Sequence, residues 1–361
     1  MFYGASFIIF SNGLDSASYF RKFLLYEGLS YSEFLTLDQK DYFIPYLSFV
    51  LSRITESKHI LFAVFALLFS WIYVKTLWIF IEKYKENSNP NLLFFLFGIA
   101  VFVPIFYING IRFYLGAWFY FYGAYHIIIH KKDKYFIYTI FATIIHFGFL
   151  PALGILIVFR ILGKQNFIYW PLLLVSFILP SFYNANELAN DYAELLSPSL
   201  QDRTLGYTHE SYVESRIDSF SHAAWYVQWK YIGVLYYVYF ALLSIIMSKK
   251  KYLIDKNSSR LFSFILLFLA CVNFVMDIPS VGVRFRNIWF LFTFAFLFRI
   301  FSNKKSKRLE LMPSLSLIPV LLYFIVDMRF GLETMNLFYL IGNPITLVFA
   351  ESDISLYNIF F

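Results

Sequence analysis

The chain is short of charge and nearly free of cysteine. Only 15% of its 361 residues are Asp, Glu, Lys or Arg, against about 25% in ordinary soluble domains. That scarcity excludes a disordered chain and a typical soluble enzyme. The single cysteine, Cys271, can make neither an intrachain disulfide nor a zinc site, which excludes a disulfide scaffold. Soluble-enzyme motifs are missing too: no phosphate-cradling P-loop, no Rossmann glycine fingerprint, no His-Glu-x-x-His and no Gly-x-Ser-x-Gly elbow. Their absence argues against a nucleotide-dependent enzyme or pump. No internal repeat is evident, which argues against a secondary transporter.

What is present is apolar. Hydrophobic residues make up 60% of the chain and aromatics 23%, with 47 Phe and 29 Tyr. The net charge of +7 suits nucleic acid or anionic lipid. The recurring apolar runs decide for a lipid bilayer and against nucleic acid. A spanning helix needs about 20 mostly apolar residues. Candidate spans lie at 59–81, 91–109, 113–129, 135–161, 166–183, 231–248, 261–276, 287–301 and 311–328. Residues 1–10 read as the end of a span. The expectation is one all-α, polytopic membrane domain over 1–361, with about ten transmembrane or re-entrant helices and long external loops at 11–58 and 184–230.

Basic residues set the orientation. The gaps 82–90, 130–134, 160–165, 249–260 and 299–308 hold 17 Lys and Arg in 42 positions. The opposite side holds 12 in 141 positions. The dense side is read as cytoplasmic, with the N-terminus inside. This holds only if 135–161 enters and leaves on the cytoplasmic side. Gly148 and Pro151 interrupt that run, and each half is too short to span alone. A broken, re-entrant hairpin is expected there.

The two sides also differ in kind. Inside, the basic residues are 13 Lys and 4 Arg; outside, 4 Lys and 8 Arg. Lysine alone satisfies a topology signal, whereas arginine adds a planar fork for phosphate oxygens. Arg112, Arg284, Arg286 and Arg329 stand at outer span ends and are candidate ligands for a diphosphate ester. Salt bridges to loop acids or lipid phosphates are the plainer reading of any one of them. His146 lies in the outer half of its run, just before the break, and is a candidate to orient a substrate or accept a proton. Asp15 and Asp277 are candidate acids at span ends; a helix cap and an arginine pair are their plainer roles. Lys75, inside a span, snorkels. Acids and rings crowd 184–230 in a way that suits sugars. Tyr207, Tyr212 and Trp225 are the candidate sugar-facing rings there. Trp225, Tyr226 and Trp229 also fit an interfacial aromatic belt. No metal is expected, since no oxygen-rich ligand cluster is readable, and no cofactor.

At these residues the chain resembles bacterial polysaccharide polymerases of the Wzy type, in particular the EpsG-like branch. The resemblance rests on Gly13-Leu14-Asp15 with Tyr19, on Asn109-Gly110-Ile111-Arg112-Phe113, on Ile145-His146 and on Val283-Arg284-Phe285-Arg286. Together these cover about residues 11 to 330. The family often has Ser two residues after the histidine, where this chain has Gly148. The resemblance implies a GT-C-like fold and a metal-independent glycosyltransferase. Its substrates would be oligosaccharides linked to undecaprenyl diphosphate, in O-antigen, lipopolysaccharide or capsule assembly. It would act at the outer face of the bacterial cytoplasmic membrane and could meet a chain-length regulator. The alternatives are a glycan-modifying membrane acyltransferase and a lipid-linked oligosaccharide flippase.

Overall fold

The computed structural model describes residues 1–9, 15–39, 41–87, 89–182, 184–195, 198–247, 255–303, 311–343 and 354–360. Among the described residues all regular structure is helical, apart from isolated bridges joining Phe7 to Met335 and Asn336 to Ser355. A short α1 (Phe2–Ala5) precedes α2 (Asp15–Glu27), α3 (Tyr31–Thr36) and α4 (Phe43–Ser52). The long α5 (Lys58–Asn87) follows, then α6 (Leu92–Val101) and the central α7 (Ile111–His130). A hairpin of α8 (Phe136–Ile145) and α9 (Leu150–Leu162) leads to α10 (Asn166–Ile178). Three short helices, α11 (Ala185–Asp191), α12 (Pro198–Thr208) and α13 (Glu210–Ser221), precede four long ones: α14 (Trp225–Met247), α15 (Lys256–Phe274), α16 (Pro279–Asn303) and α17 (Leu311–Thr334).

Among the described residues six helices are long and apolar enough to cross a membrane: 58–87, 92–130 with its internal kink, 225–247, 256–274, 279–302 and 311–334. The chain is a polytopic, membrane-embedded protein. Shorter apolar helices lie at 43–52, 147–162 and 166–178. The segments 11–58 and 184–230, expected as loops, are largely helical where described. Local capping explains part of this. Ser30 and Glu33 form a reciprocal capping box on α3, and the Asn184 side chain accepts the Asn186 N–H at the start of α11.

Moving a Phe side chain from lipid into the bundle gains no hydrophobic energy, because acyl tails are as apolar as the side chain. Close packing must hold the bundle instead. Sixteen of the twenty residues of α7 are buried, so it is the hub. Gly116 and Gly123, seven apart on one α7 face, make room for the hairpin: a Cβ would sit 2.7 Å from the Phe149 ring at the first and 2.9 Å from the Tyr135 carbonyl at the second. Ring contacts add to this. Phe121 and Phe292 have centroids 4.8 Å apart, and Phe102 and Phe294 4.7 Å. Such pairs are worth about 0.5–1.5 kcal/mol each beyond area.

The hairpin closes on itself. Arg160, near the end of α9, makes two 2.8 Å bonds to the Asp133 carboxylate, just before α8. The run of 135–161 therefore leaves the bundle at the end where it entered. α8 ends at His146, whose backbone is extended at φ −152° and ψ 115°. Pro151 sits in the first turn of α9, where proline is tolerated. The same end holds the start of α15 and the close of α16, tied by Arg299 to Asp255 at 2.9 Å. α10 starts there too, because its Asn166 bonds Ser263 while Ser176 meets Asn273 farther along. The lysine runs at 249–251 and 304–307 lie outside the described residues. Arg112, His146, Arg284 and Arg329 belong to the opposite end.

Candidate functional site

The motif around Arg112 acts as a joint. Pro104 and Gly110 break the rod between α6 and α7. The Asn109 side chain then accepts the Ser16 N–H at 3.0 Å, satisfying one of the orphan donors at the start of α2. Arg112 follows in the first turn of α7. Its Nε donates to the Tyr19 hydroxyl at 3.0 Å and its Nη1 to Asp41 Oδ2 at 2.8 Å. Nη2 has no partner among the described residues.

Asp41 precedes α4, and its side chain is 1% exposed. Among the described residues one carboxylate receives three groups. Besides Arg112 it faces His146 Nδ1 at 3.1 Å and accepts the Phe147 N–H at 2.9 Å. The helix break supplies that last donor, since Phe147 N–H is released from the α8 ladder. Burial alone would raise the Asp41 carboxyl. The His146 ring, the Arg112 guanidinium and the Phe147 N–H outweigh it and hold Asp41 below the usual carboxylate range. Burial pushes the Tyr19 hydroxyl up to about 12, with Arg112 opposing, so the phenol stays protonated.

Phe113 gathers the remaining motifs. Its ring is edge-on to His146 at 5.8 Å and stacks on Phe149 at 5.0 Å. It also meets Phe285 at 5.7 Å, and the Arg284 guanidinium lies 5.4 Å from its centre. Residues 113, 146 and 284–285, remote in sequence, thus form one contact cluster. Beside it a cavity of about 200 Å³ is lined by Asp15, Tyr19, Lys22, Tyr26 and Arg112, among others.

Other sequence candidates fall at different distances from this cluster. Asp15 lies on the cavity wall. Gly13 and Leu14, which precede it in the motif, lie outside the described residues. Tyr207 lies near Arg284, and Tyr212 meets Ser280 Oγ at 2.5 Å. The segment that carries both tyrosines therefore covers the start of α16. Arg286, about 200° around the helix from Arg284, lies 5.0 Å from the Tyr231 ring, with a buried Nε that has no partner among the described residues. Three further candidates also lie outside the cluster. Arg329 is half-exposed, bonded to Glu333 at 3.2 Å and the Tyr226 hydroxyl at 2.6 Å. Asp277 is exposed and contributes its carbonyl to Asn186 at 2.9 Å. Trp225 is exposed and edge-on to Tyr226. Among the described residues no three His, Cys, Asp or Glu side chains gather into a group able to hold a metal.

Two acids escaped the sequence reading. Asp41 sits in a segment read as loop, 71 and 105 residues from its partners. The available signal was indirect, namely that an outward arginine at a span end requires a counter-ion. Asp327 had a plainer signal, an ionisable residue inside an apolar run. It pairs with Lys230 at 2.6 Å and accepts from the Tyr107 hydroxyl at 2.7 Å.

A buried Arg112–Asp41–His146 cluster beside a cavity, at one end of an all-helical bundle with membrane-length helices, defines a polytopic membrane protein with a polar site at that end. The chain belongs to the EpsG family, whose model matches residues 1–340. No curated protein and no solved structure matches it.

Proposed function

We propose that the protein is a polysaccharide polymerase acting at the outer face of the bacterial cytoplasmic membrane. In this reading a growing glycan on undecaprenyl diphosphate is transferred to the sugar end of a second lipid-linked repeat unit. The family membership and the membrane helices support the class. The observation that carries the site is that Arg112 and His146, from separate helices, share one carboxylate beside a cavity.

The reaction joins an acceptor hydroxyl oxygen to the anomeric carbon and breaks the bond from that carbon to the diphosphate oxygen. The hydroxyl proton needs a base, and the departing diphosphate needs cations. Arg112 and Arg284 flank Phe113 and serve the diphosphate. Arg286, farther round α16, is a candidate for its second phosphate or for the acceptor lipid. His146 takes the proton, and Asp15 orients the acceptor from the cavity wall. Tyr207 and Tyr212 offer ring faces to the sugars. The lysine-rich end faces the cytoplasm.

Deletion of the gene tests this directly. Single repeat units should remain on surface lipid while long chains disappear. Loss of lipid-linked units from the outer leaflet would favour a flippase instead. Normal chain length with lost O-acetyl groups would favour an acyltransferase.

A further inference from the structure

Arg112 and His146 stand on different helices, and each side chain can turn about several bonds. A reaction that needs both within one ångström-scale geometry requires something to hold them. We propose that Asp41 is the positioning residue of the site: it fixes the His146 tautomer so that Nε2 receives the acceptor proton, and it locks Arg112 alongside. This rests on the polymerase reading above.

The geometry leads to this step by step. An ionised carboxylate only accepts hydrogen bonds. Its contact with His146 Nδ1 at 3.1 Å therefore places the hydrogen on Nδ1 and leaves the Nε2 lone pair open. Nε2 makes no hydrogen bond among the described residues. Oδ1 takes the Phe147 N–H at 2.9 Å, which anchors Asp41 to the backbone of the break that carries the histidine. Oδ2 takes Arg112 Nη1 at 2.8 Å. These donors orient the carboxylate, and the carboxylate in turn orients ring and guanidinium. Gly148 completes the arrangement. A Cβ there would lie 2.9 Å from His146 Nε2, so glycine leaves the approach to that nitrogen clear. In the transfer, the hydroxyl proton passes to Nε2 as the oxygen–carbon bond forms, and the electron pair of the breaking bond leaves with the diphosphate.

The test uses purified full-length protein and lipid-linked glycan extracted from the deletion strain. Asp41→Asn keeps shape and removes charge. It should lower kcat by about 10²–10⁴-fold, the range seen when an orienting carboxylate is neutralised or a general base is removed. His146→Ala should lose a similar factor. Because Asp41 acts through His146, adding Asp41→Asn to His146→Ala should cost less than about threefold more. Losses that multiply would show a separate structural role and overturn the proposal, as would Asp41→Asn turning over at the wild-type rate. If Asp41→Asn fails to accumulate in the membrane, Gly148→Ala decides. Crowding Nε2 should slow turnover at least about tenfold with normal accumulation, and an unchanged rate would overturn the assignment of Nε2. Absence of polymer from the wild-type protein would overturn the polymerase reading and the role of Asp41 with it. Polymer from the wild type with a multiplicative double variant overturns the role of Asp41 alone.

Discussion

Two buried carboxylates, Asp41 and Asp327, solve the same electrostatic problem in different ways. Both are almost sealed, with side chains 1% and 2% exposed. Each holds a cation: Arg112 at 2.8 Å and Lys230 at 2.6 Å. The difference lies in what surrounds the pair. Lys230 is 9% exposed, under the rings of Tyr231 and Tyr323. Tyr107 bonds the far oxygen of Asp327 and stacks on Tyr114 of α7 at 4.4 Å. Both Asp327 oxygens are answered from inside, and the pair pins α14 to α17. Arg112 is 20% exposed on a cavity wall, and its carboxylate also holds a histidine with a free nitrogen. A closed pair fixes helices; an open pair with spare donors can meet a substrate.

That contrast predicts that the two pairs break differently. The largest effect is structural. Lys230→Ala leaves the Asp327 charge buried and alone, which costs about 3–5 kcal/mol. Thermal unfolding of the detergent-solubilised protein should show a marked fall in Tm. Replacing both partners, Lys230→Met with Asp327→Leu, should recover most of it, since an apolar pair of similar volume removes the desolvation cost. If the double variant is no more stable than the single one, the pair does more than pin helices.

Next comes Arg284→Ala. Loss of one cation from a site that stabilises developing charge slows turnover by about 10²–10³-fold. Polymer length on gels should collapse while the Tm stays near that of the wild type.

Acid should separate the two regions more gently. Asp41 is held below the usual carboxylate range in the folded protein, while an unfolded Asp titrates near pH ~3.9. Its contribution to stability is therefore complete above the unfolded value and is lost as pH falls through the lower folded one. A Tm–pH profile should decline on the acid side for the wild type and more weakly for Asp41→Asn.

The smallest effect belongs to Arg329. Its bonds to Glu333 and Tyr226 are at the surface, where an ion pair contributes about 1 kcal/mol or less. Arg329→Ala should keep polymerisation within about threefold of wild type. A loss as large as that of Arg284→Ala would place Arg329 back with the diphosphate.

The long apolar helices and the break were legible, unlike the helices within 11–58 and 184–230, because periodicity hardly matters in a membrane. Length, apolar content and the positions of Gly148 and Pro151 are enough. Arg112, His146 and Arg284 were legible because an ionisable residue is costly near the bilayer and stands out against Phe and Leu. The carboxylate that joins Arg112 to His146 was not. Asp41 lies among other polar residues in Asp38-Gln39-Lys40-Asp41, where charge is cheap and nothing marks one acid over another. Only the packing of α2 on α4 and on the 105–110 segment, and of α4 on α8, brings it under Arg112. Arg286 and Arg284 look equivalent in sequence, two residues apart, yet helical geometry sends them to different neighbours.

The most direct measurement is polymer synthesis by purified Arg112→Ala protein supplied with lipid-linked repeat units from the deletion strain. The account predicts a ladder of long chains from the wild type and unextended units from Arg112→Ala, with both proteins folded in detergent and Arg112→Ala melting lower, because Asp41 loses its cation. Full-length chains from Arg112→Ala would contradict it.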